Sequence, residues 1–401
     1  MKLNIHPILR TILLSSVLLT GGHARTWTSA DGSKTFEAKF KSYNAETGEV
    51  IVTRNGRTQK FSQSVLSADD ITFLKSQTGS SASGRAIPDV LPDPDGKEAD
   101  MSKPVQVFIL MGQSNMLGFG STSGLKTATE QGLYPYLVDD AGEWNVRKDV
   151  RNVRVMCSGS GPWKTYFNDW LSGGNGSGSK AGKFGPEIGI GHYLGYALDE
   201  PVLIIKACIG NRALGWDLLP PSAEGTGNKG VSYQGDKDDP ERNPITDKGW
   251  YAGIQYDGDT KAAKDVLKKL GDYYPGATKY EVAGFFWWQG AADPAKGSVE
   301  HYETNLVHLI KDLRKDFNAP DAKFVCATMG HEKKGGKITD AQLAVDGESG
   351  KHPEFKGNVA TFYSNPVSKG GSANGHYGGN AETYMNVGDG MGRAMAELLQ
   401  K

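Results

Sequence analysis

Four short segments carry side chains suited to acyl transfer: Gly112-Gln-Ser114-Asn-Met116, Lys206-Ala-Cys-Ile-Gly210-Asn211, Trp287-Trp-Gln289-Gly-Ala-Ala-Asp293 and Asn374-Gly-His376-Tyr377. A serine hydroxyl is a poor nucleophile until an imidazole accepts its proton. The tetrahedral intermediate then needs N–H donors fixed where its oxyanion forms. Ser114 and His376 are the candidate nucleophile and base. The backbone N–H groups of Ser114 and Gly210 and the side-chain amide of Gln289 are the candidate oxyanion donors. Asp293 and Asn374 are candidates to orient the imidazole. Gln113, Asn115, Glu187, Asn211 and Trp288 are candidates for substrate contact.

Each of these residues also has a plain structural reading. Ser114 followed by Asn115 would cap a helix well. Glu187 opens a helical stretch and would favour its dipole. Asp293 suits the start of a turn. Trp287 and Trp288 fall on opposite faces of a strand, so one belongs to the core and the other is free to stack on a sugar ring. His192, His301 and His308 lie on helical stretches without a partner pattern. No metal-ligand spacing or phosphate loop occurs, so no metal or cofactor is expected. The three cysteines, Cys157, Cys208 and Cys326, lack C-x-x-C spacing and each closes a strand, which suits buried free thiols. One fortuitous pair remains open.

Alternating strands and helices must position these segments. Val105-Gln-Val-Phe-Ile-Leu-Met111 is a β-favouring apolar run that stops at Gly112, the pattern of a buried parallel strand. Further strands are expected at 152–157, 201–208, 281–288, 322–329 and 358–363. Helices are expected at 261–273, at 299–316, where Tyr302, Leu306, Leu309, Ile310 and Leu313 mark one face, and at 381–399. Such alternation predicts a three-layer α/β/α domain, in which ligands bind at the carboxyl ends of the strands. A Gly/Ser loop at 171–183 and a polar segment at 217–258 interrupt it. The net charge of -1 excludes a broad nucleic-acid face.

The large domain, roughly 104–401, resembles the SGNH (GDSL-like) hydrolase superfamily, nearest the branch of sialate O-acetylesterases and carbohydrate esterase family six acetylxylan esterases. The resemblance rests on Gly112-Gln-Ser114-Asn-Met116, Phe184-Gly-Pro-Glu187, Gly210, Trp287-Trp-Gln289-Gly290 and His376. It implies a flavodoxin-like fold and a serine esterase acting on O-acetylated carbohydrate, without a cofactor. The chain lacks G-x-S-x-G, which argues against the α/β-hydrolase elbow. Two positions depart from the family pattern. Ala291 stands where a glutamate is usual, and Ala373 stands where the triad aspartate should precede His376. An SGNH-fold carbohydrate-binding or envelope protein with an impaired site is therefore the alternative. A lipase or thioesterase would need an apolar groove that 217–258 does not supply.

The amino-terminal part is different in kind. Lys2 and Arg10, the uncharged run 11–22 and the small residues ending at Ala24 form a signal-peptide pattern, so 1–24 implies a secreted or periplasmic protein. No segment is expected to insert in a membrane. Residues 25–77 alternate at Phe36, Ala38 and Phe40 and at Val50 and Val52, with turn pairs Asp31-Gly32 and Asn55-Gly56. Ser67 and Asp70 form a capping-box pattern. This unit resembles the Sla homology domain on Arg25-Thr-Trp27-Thr, Asp31-Gly32, Phe36-Glu-Ala38, Val50-Ile-Val52 and Val65-Leu-Ser67-Ala-Asp-Asp70, which implies a small SH3-like β-barrel. It is an accessory or spacer module and the candidate for protein or envelope contact. Residues 78–103 read as a Gly/Ser- and then Pro/Asp-rich linker.

Overall fold

The computed structural model describes residues 25–44, 48–54, 57–78, 86–88 and 90–401. The expected signal peptide, the Asn55-Gly56 turn and part of the linker lie outside the described residues. The chain forms two units, Met1–Gly84 and Arg85–Lys401.

In the first unit, β1 (Arg25–Thr28), β2 (Thr35–Asn44), β3 (Glu49–Arg54) and β4 (Arg57–Ser62) pair antiparallel in chain order. Trp27, Ala38, Val50 and Val52 point inward and pack with Leu66 and with Leu74 of helix α1 (Ala68–Thr78). The Asp70 N–H donates to Ser67 Oγ at 3.2 Å, the reciprocal geometry of a helix cap. The sheet is open, not the closed barrel that the resemblance implied, because no ladder joins β1 to β4 among the described residues. The physical reason lies in β4: Arg57, Thr58, Gln59 and Lys60 are all exposed, so no apolar seam drives closure.

The second unit begins its sheet with β5 (Val105–Gly112), buried throughout, followed by the single turn α2 (Ser114–Leu117). Then come β6 (Gly120–Ser121), α3 (Thr122–Glu130), β7 (Val146–Met156), β8 (Lys164–Ser172), β9 (Lys183–Phe184), α4 (Glu187–Ala197) and β10 (Val202–Cys208). The remainder is α5 (Ile254–Lys268), α6 (Leu270–Tyr273), β11 (Tyr280–Trp288), α7 (Tyr302–Asp316), β12 (Lys323–Ala327), α8 (Lys337–Ala344), β13 (Val359–Phe362) and α9 (Ala381–Leu399). The expected linker residues from 86 onward belong to this unit: Arg393 donates to the Pro88 carbonyl at 2.5 Å and the Asp100 N–H to that of Asp199.

The main sheet runs β13-β12-β11-β5-β10-β7-β8 and is parallel except for β8. With the β7–β8 hairpin taken as an edge addition, the remaining strands follow the doubly wound order two-one-three-four-five. The order reverses between β5 and β11, which is where such sheets open a crevice at their carboxyl ends. Helices cover both faces. Trp287 meets Tyr302 of α7 on one face, and its neighbour Trp288 meets Tyr384 of α9 on the other. Strand β8 was not expected, since most of Lys164–Asp169 faces solvent and offers no apolar alternation.

Candidate active site

Ser114 stands at the reversal point of the sheet. Gly112 ends β5 level with Cys208 of β10 and Trp288 of β11. Its φ is 146°, and a Cβ there would lie 2.4 Å from the Trp288 carbonyl oxygen, so only glycine lets the two strands end side by side. Gln113 is extended, and Ser114 then opens the turn α2. As the first residue of that turn, Ser114 has an N–H without a helical acceptor. Gly210 follows β10, and a Cβ there would sit 3.5 Å from the Ser114 Cβ. Among the described residues no protein group accepts the N–H of Ser114 or of Gly210. Ser114, only 4% exposed, thus has Gly210 as a close neighbour, and both N–H groups are without a protein acceptor among the described residues.

The turn that carries Ser114 is anchored from below. The Lys206 ammonium, on β10, donates to the Leu117 carbonyl at 2.9 Å and pairs with Glu187 Oε2 at 2.8 Å. Both side chains are fully buried. Glu187 Oε1 accepts from the Gly185 N–H and from Ser177 Oγ. Burial pushes the Lys206 ammonium down while Glu187 pulls it back up. Glu187 is thus a support for the nucleophile's turn and not a substrate contact. The sequence does hold a signal for this pair: a lysine inside the apolar run of β10 must find a buried counter-charge.

The amides and carboxylate after β5 and β11 form a second support. Gln289 Nε2 donates to the Arg212 carbonyl at 2.8 Å, to Asp293 Oδ2 at 2.6 Å and to Gln113 Oε1 at 3.2 Å. Its hydrogens are spent inside the protein, so the amide expected to face an oxyanion instead fixes the loops around Ser114. Gln113 Oε1 also accepts from Ala292 N–H at 3.2 Å, which makes Gln113 a brace between the two loops. Asp293 accepts from the Leu214 and Gly215 N–H groups at 3.1 and 3.0 Å. Burial raises its carboxyl to about 7 against the pull of these donors. With its oxygens so engaged, Asp293 holds the loop after Gly210 and does not orient His376.

His376 is held in another way. Its ring lies on Phe119, centroids 3.8 Å apart and planes 3° from parallel. Phe119 is five residues beyond Ser114, so the stack joins the histidine loop to the nucleophile's own segment. His376 and Tyr377 both have left-handed backbones, φ 52° and 51°. Tyr377 secures that strained pair: it is fully buried, stacks on Trp288 at 5.8 Å, and accepts the Gly330 N–H at 3.0 Å. Among the described residues nothing hydrogen-bonds the His376 ring, Ser114 included, and no carboxylate pairs with it. Asn374 is exposed and makes no hydrogen bond to that ring. Burial lowers the imidazole pKa below its ordinary 6.5.

Two more expected contacts are corrected. Trp288 is fully buried, with its Nε1–H on the Thr328 carbonyl at 3.2 Å, so it cannot stack on a sugar. Asn115 is also fully buried and receives a hydrogen bond from the Tyr384 hydroxyl. Asn211, exposed and left-handed at φ 57°, remains beside the site. The three cysteines are free and buried. A cavity of about 380 Å³ lined by Asp95, Asp100, Arg147 and Asp199 lies at the opposite, amino edge of the sheet and plays no part here.

The second unit is a doubly wound α/β domain with a serine at its reversal point, and His376, from the last loop, stacks on Phe119 in the segment that follows that serine. Residues 250–396 match the family model described as carbohydrate esterase, sialic acid-specific acetylesterase. Gln289, Asp293 and His376 fall inside that stretch, whereas Ser114 and Gly210 precede it. No curated protein matches significantly. Among solved structures, a protein from Arabidopsis thaliana is 18% identical, with 73% of this chain and 98% of that one covered and a TM-score of 0.42. A carbohydrate acetylesterase from Xanthomonas citri is 12% identical over 92% of this chain and 67% of that one, at 0.41. NanS is 13% identical over 58% and 69%, at 0.30. At such scores the fold rests on the strand order above.

Proposed function

We propose that the large unit is a serine esterase that removes O-acetyl groups from carbohydrate through an acyl-Ser114 intermediate. The observation that carries this reading is the close approach of Gly210 to Ser114, with both N–H groups lacking a protein acceptor among the described residues, supported by the carbohydrate-esterase match over 250–396. His376 takes the Oγ proton as Oγ attacks the acetyl carbonyl carbon. The carbonyl oxygen becomes an oxyanion received by the two N–H groups. His376 then protonates the departing sugar oxygen, and the C–O bond breaks. A water molecule, deprotonated by the same imidazole, attacks the acyl-serine and releases acetate. The scheme calls on no cofactor. The protein works after export, in the periplasm or outside the cell, with the first unit serving envelope or protein contact.

The second reading, a carbohydrate-binding protein with an impaired site, is favoured by the lack of a carboxylate at His376 among the described residues. Acetate release from acetylated polysaccharide and from p-nitrophenyl acetate decides between them. The esterase reading expects turnover that Ser114→Ala reduces by several powers of ten. Turnover absent from the wild type, or undiminished in Ser114→Ala, overturns it.

A further inference from the structure

The amino edge of the main sheet, at the far end of the strands from Ser114, carries apolar, acidic and basic surface side by side. Among the described residues of the second unit the exposed large apolar side chains are Val90, Met101, Leu133, Val146, Tyr166 and Tyr280. Three of them lie at this edge: Val146 opens β7, Tyr280 opens β11, and Met101 stands four residues before β5. Met101 and Val146 line a cleft of about 370 Å³ with Trp170, Tyr274 and Pro275. Exposed apolar surface gathered in one place, rich in Tyr and Met, is what an interface keeps at its centre.

Charges of opposite sign flank this patch. Beside β7 and β10 is the cavity of about 380 Å³, whose Asp93, Glu98 and Asp199 make no ion pair among the described residues. It shares Glu98 with the apolar cleft. On the other side, α7 joins the parallel strands β11 and β12 and so ends at the amino edge, in a pocket lined by Lys311, Arg314, Lys315, Asn318 and Pro320. Lys315 makes no ion pair among the described residues, and Lys311 pairs only with the exposed Glu354. β12 and β7 are four strands apart, roughly 19 Å. A stable interface buries about 800 Å² per partner, a patch about 32 Å across, and both charged ends fall within that span.

We propose that this edge is the interface of a symmetric dimer of the chain, with Met101, Val146 and Tyr280 at its centre. A face that is acidic at one end, apolar in the middle and basic at the other is complementary to itself under a two-fold rotation. The acidic end of one copy meets the basic end of the other, twice. The Ser114 ends of the two sheets point away from the interface, so the proposal does not depend on the reading of that site.

Sedimentation velocity of the full chain at micromolar concentration tests this. A species of twice the monomer mass is expected at low salt, weakening as salt rises because the rim is charged. Tyr280→Glu should leave a monomer. Lys315→Glu and Asp199→Lys should each weaken the dimer about tenfold, and the two together, which exchange the signs, should restore it. Circular dichroism checks that each variant folds. Carbodiimide cross-linking of mixed isotope-labelled and unlabelled wild type reads the contact without any variant: it should join Lys311 or Lys315 of one copy to Asp93, Glu98 or Asp199 of the other. A wild type that stays monomeric overturns the proposal, and so does a dimer without those cross-links between copies. A dimer that survives folded Tyr280→Glu, or a folded double variant no stronger than the single ones, overturns it too.

Discussion

The two flanks of Ser114 are built by different forces. Two buried polar supports do the fixing away from His376: Gln113, Gln289 and Asp293 on the Gly210 side, at 2.6 to 3.2 Å, and the Lys206–Glu187 pair at 2.8 Å beneath the turn of Ser114. On the His376 side, one aromatic stack and a buried tyrosine do the holding. The polar flank fixes where an oxyanion would sit, which demands directional donors. The aromatic flank fixes only the plane of a ring. A missing acid therefore costs His376 the electrostatic support of its imidazolium, while its orientation is still imposed by Phe119.

Breaking the polar flank should have the largest effect on stability. Lys206→Met leaves Glu187 buried without its counter-charge, a loss of about 3–5 kcal/mol by the usual cost of such a vacancy. Urea unfolding should record it, and Lys206→Met combined with Glu187→Leu should recover most of it. A loss near zero in the single variant would mean the pair does not support the turn.

Breaking the aromatic flank should spare stability more and turnover less. Phe119→Ala frees the imidazole plane and should lower kcat by about ten- to a hundredfold with little change in KM. Steady-state kinetics in which KM alone moved would place Phe119 in substrate binding instead.

Adding what the aromatic flank lacks should have a smaller effect of opposite sign. Ala373→Asp places a carboxylate three residues before His376, and kcat should rise about tenfold at unchanged KM if imidazolium support is what is missing. Ala373 is fully buried, so a folded variant with unchanged kcat would show that Phe119 already supplies all that His376 needs.

The smallest effect is a shift in pH. A general base works when neutral, so kcat/KM should rise with pH and level off above the imidazole pKa. Burial lowers that pKa from 6.5, so the acid limb should have its midpoint below 6.5. Phe119→Ala exposes the ring and should move the midpoint upward. A wild-type midpoint above 6.5 would point to a carboxylate near His376.

Much of this contrast could be read from sequence only on one side. The strand before Ser114 is legible because Val105–Met111 is apolar and ends in glycine, and α9 runs as expected from Ala381 to Leu399. Gly210 is legible as the residue that follows the β10 apolar run. Phe119 is not, since its contact with His376 spans the whole fold and leaves no local pattern. Trp288 misleads for the opposite reason. Strand alternation puts the two tryptophans on different faces, but both faces are covered by helices, so alternation does not imply exposure. The polar segment 217–258 is anchored by carboxylates where apolar residues would be sought: Tyr233 and Tyr251 donate to the buried Asp257 at 2.5 and 2.6 Å.

The proposed mechanism makes Ser114 the covalent acyl carrier although no acid pairs with His376 among the described residues. A fluorophosphonate that reacts only with activated serines, followed by peptide mass spectrometry, addresses it directly. A single adduct is expected on the peptide containing Ser114, strongly diminished in His376→Ala and absent in Ser114→Ala. Esterase turnover without that adduct, or an adduct on another serine, would contradict it.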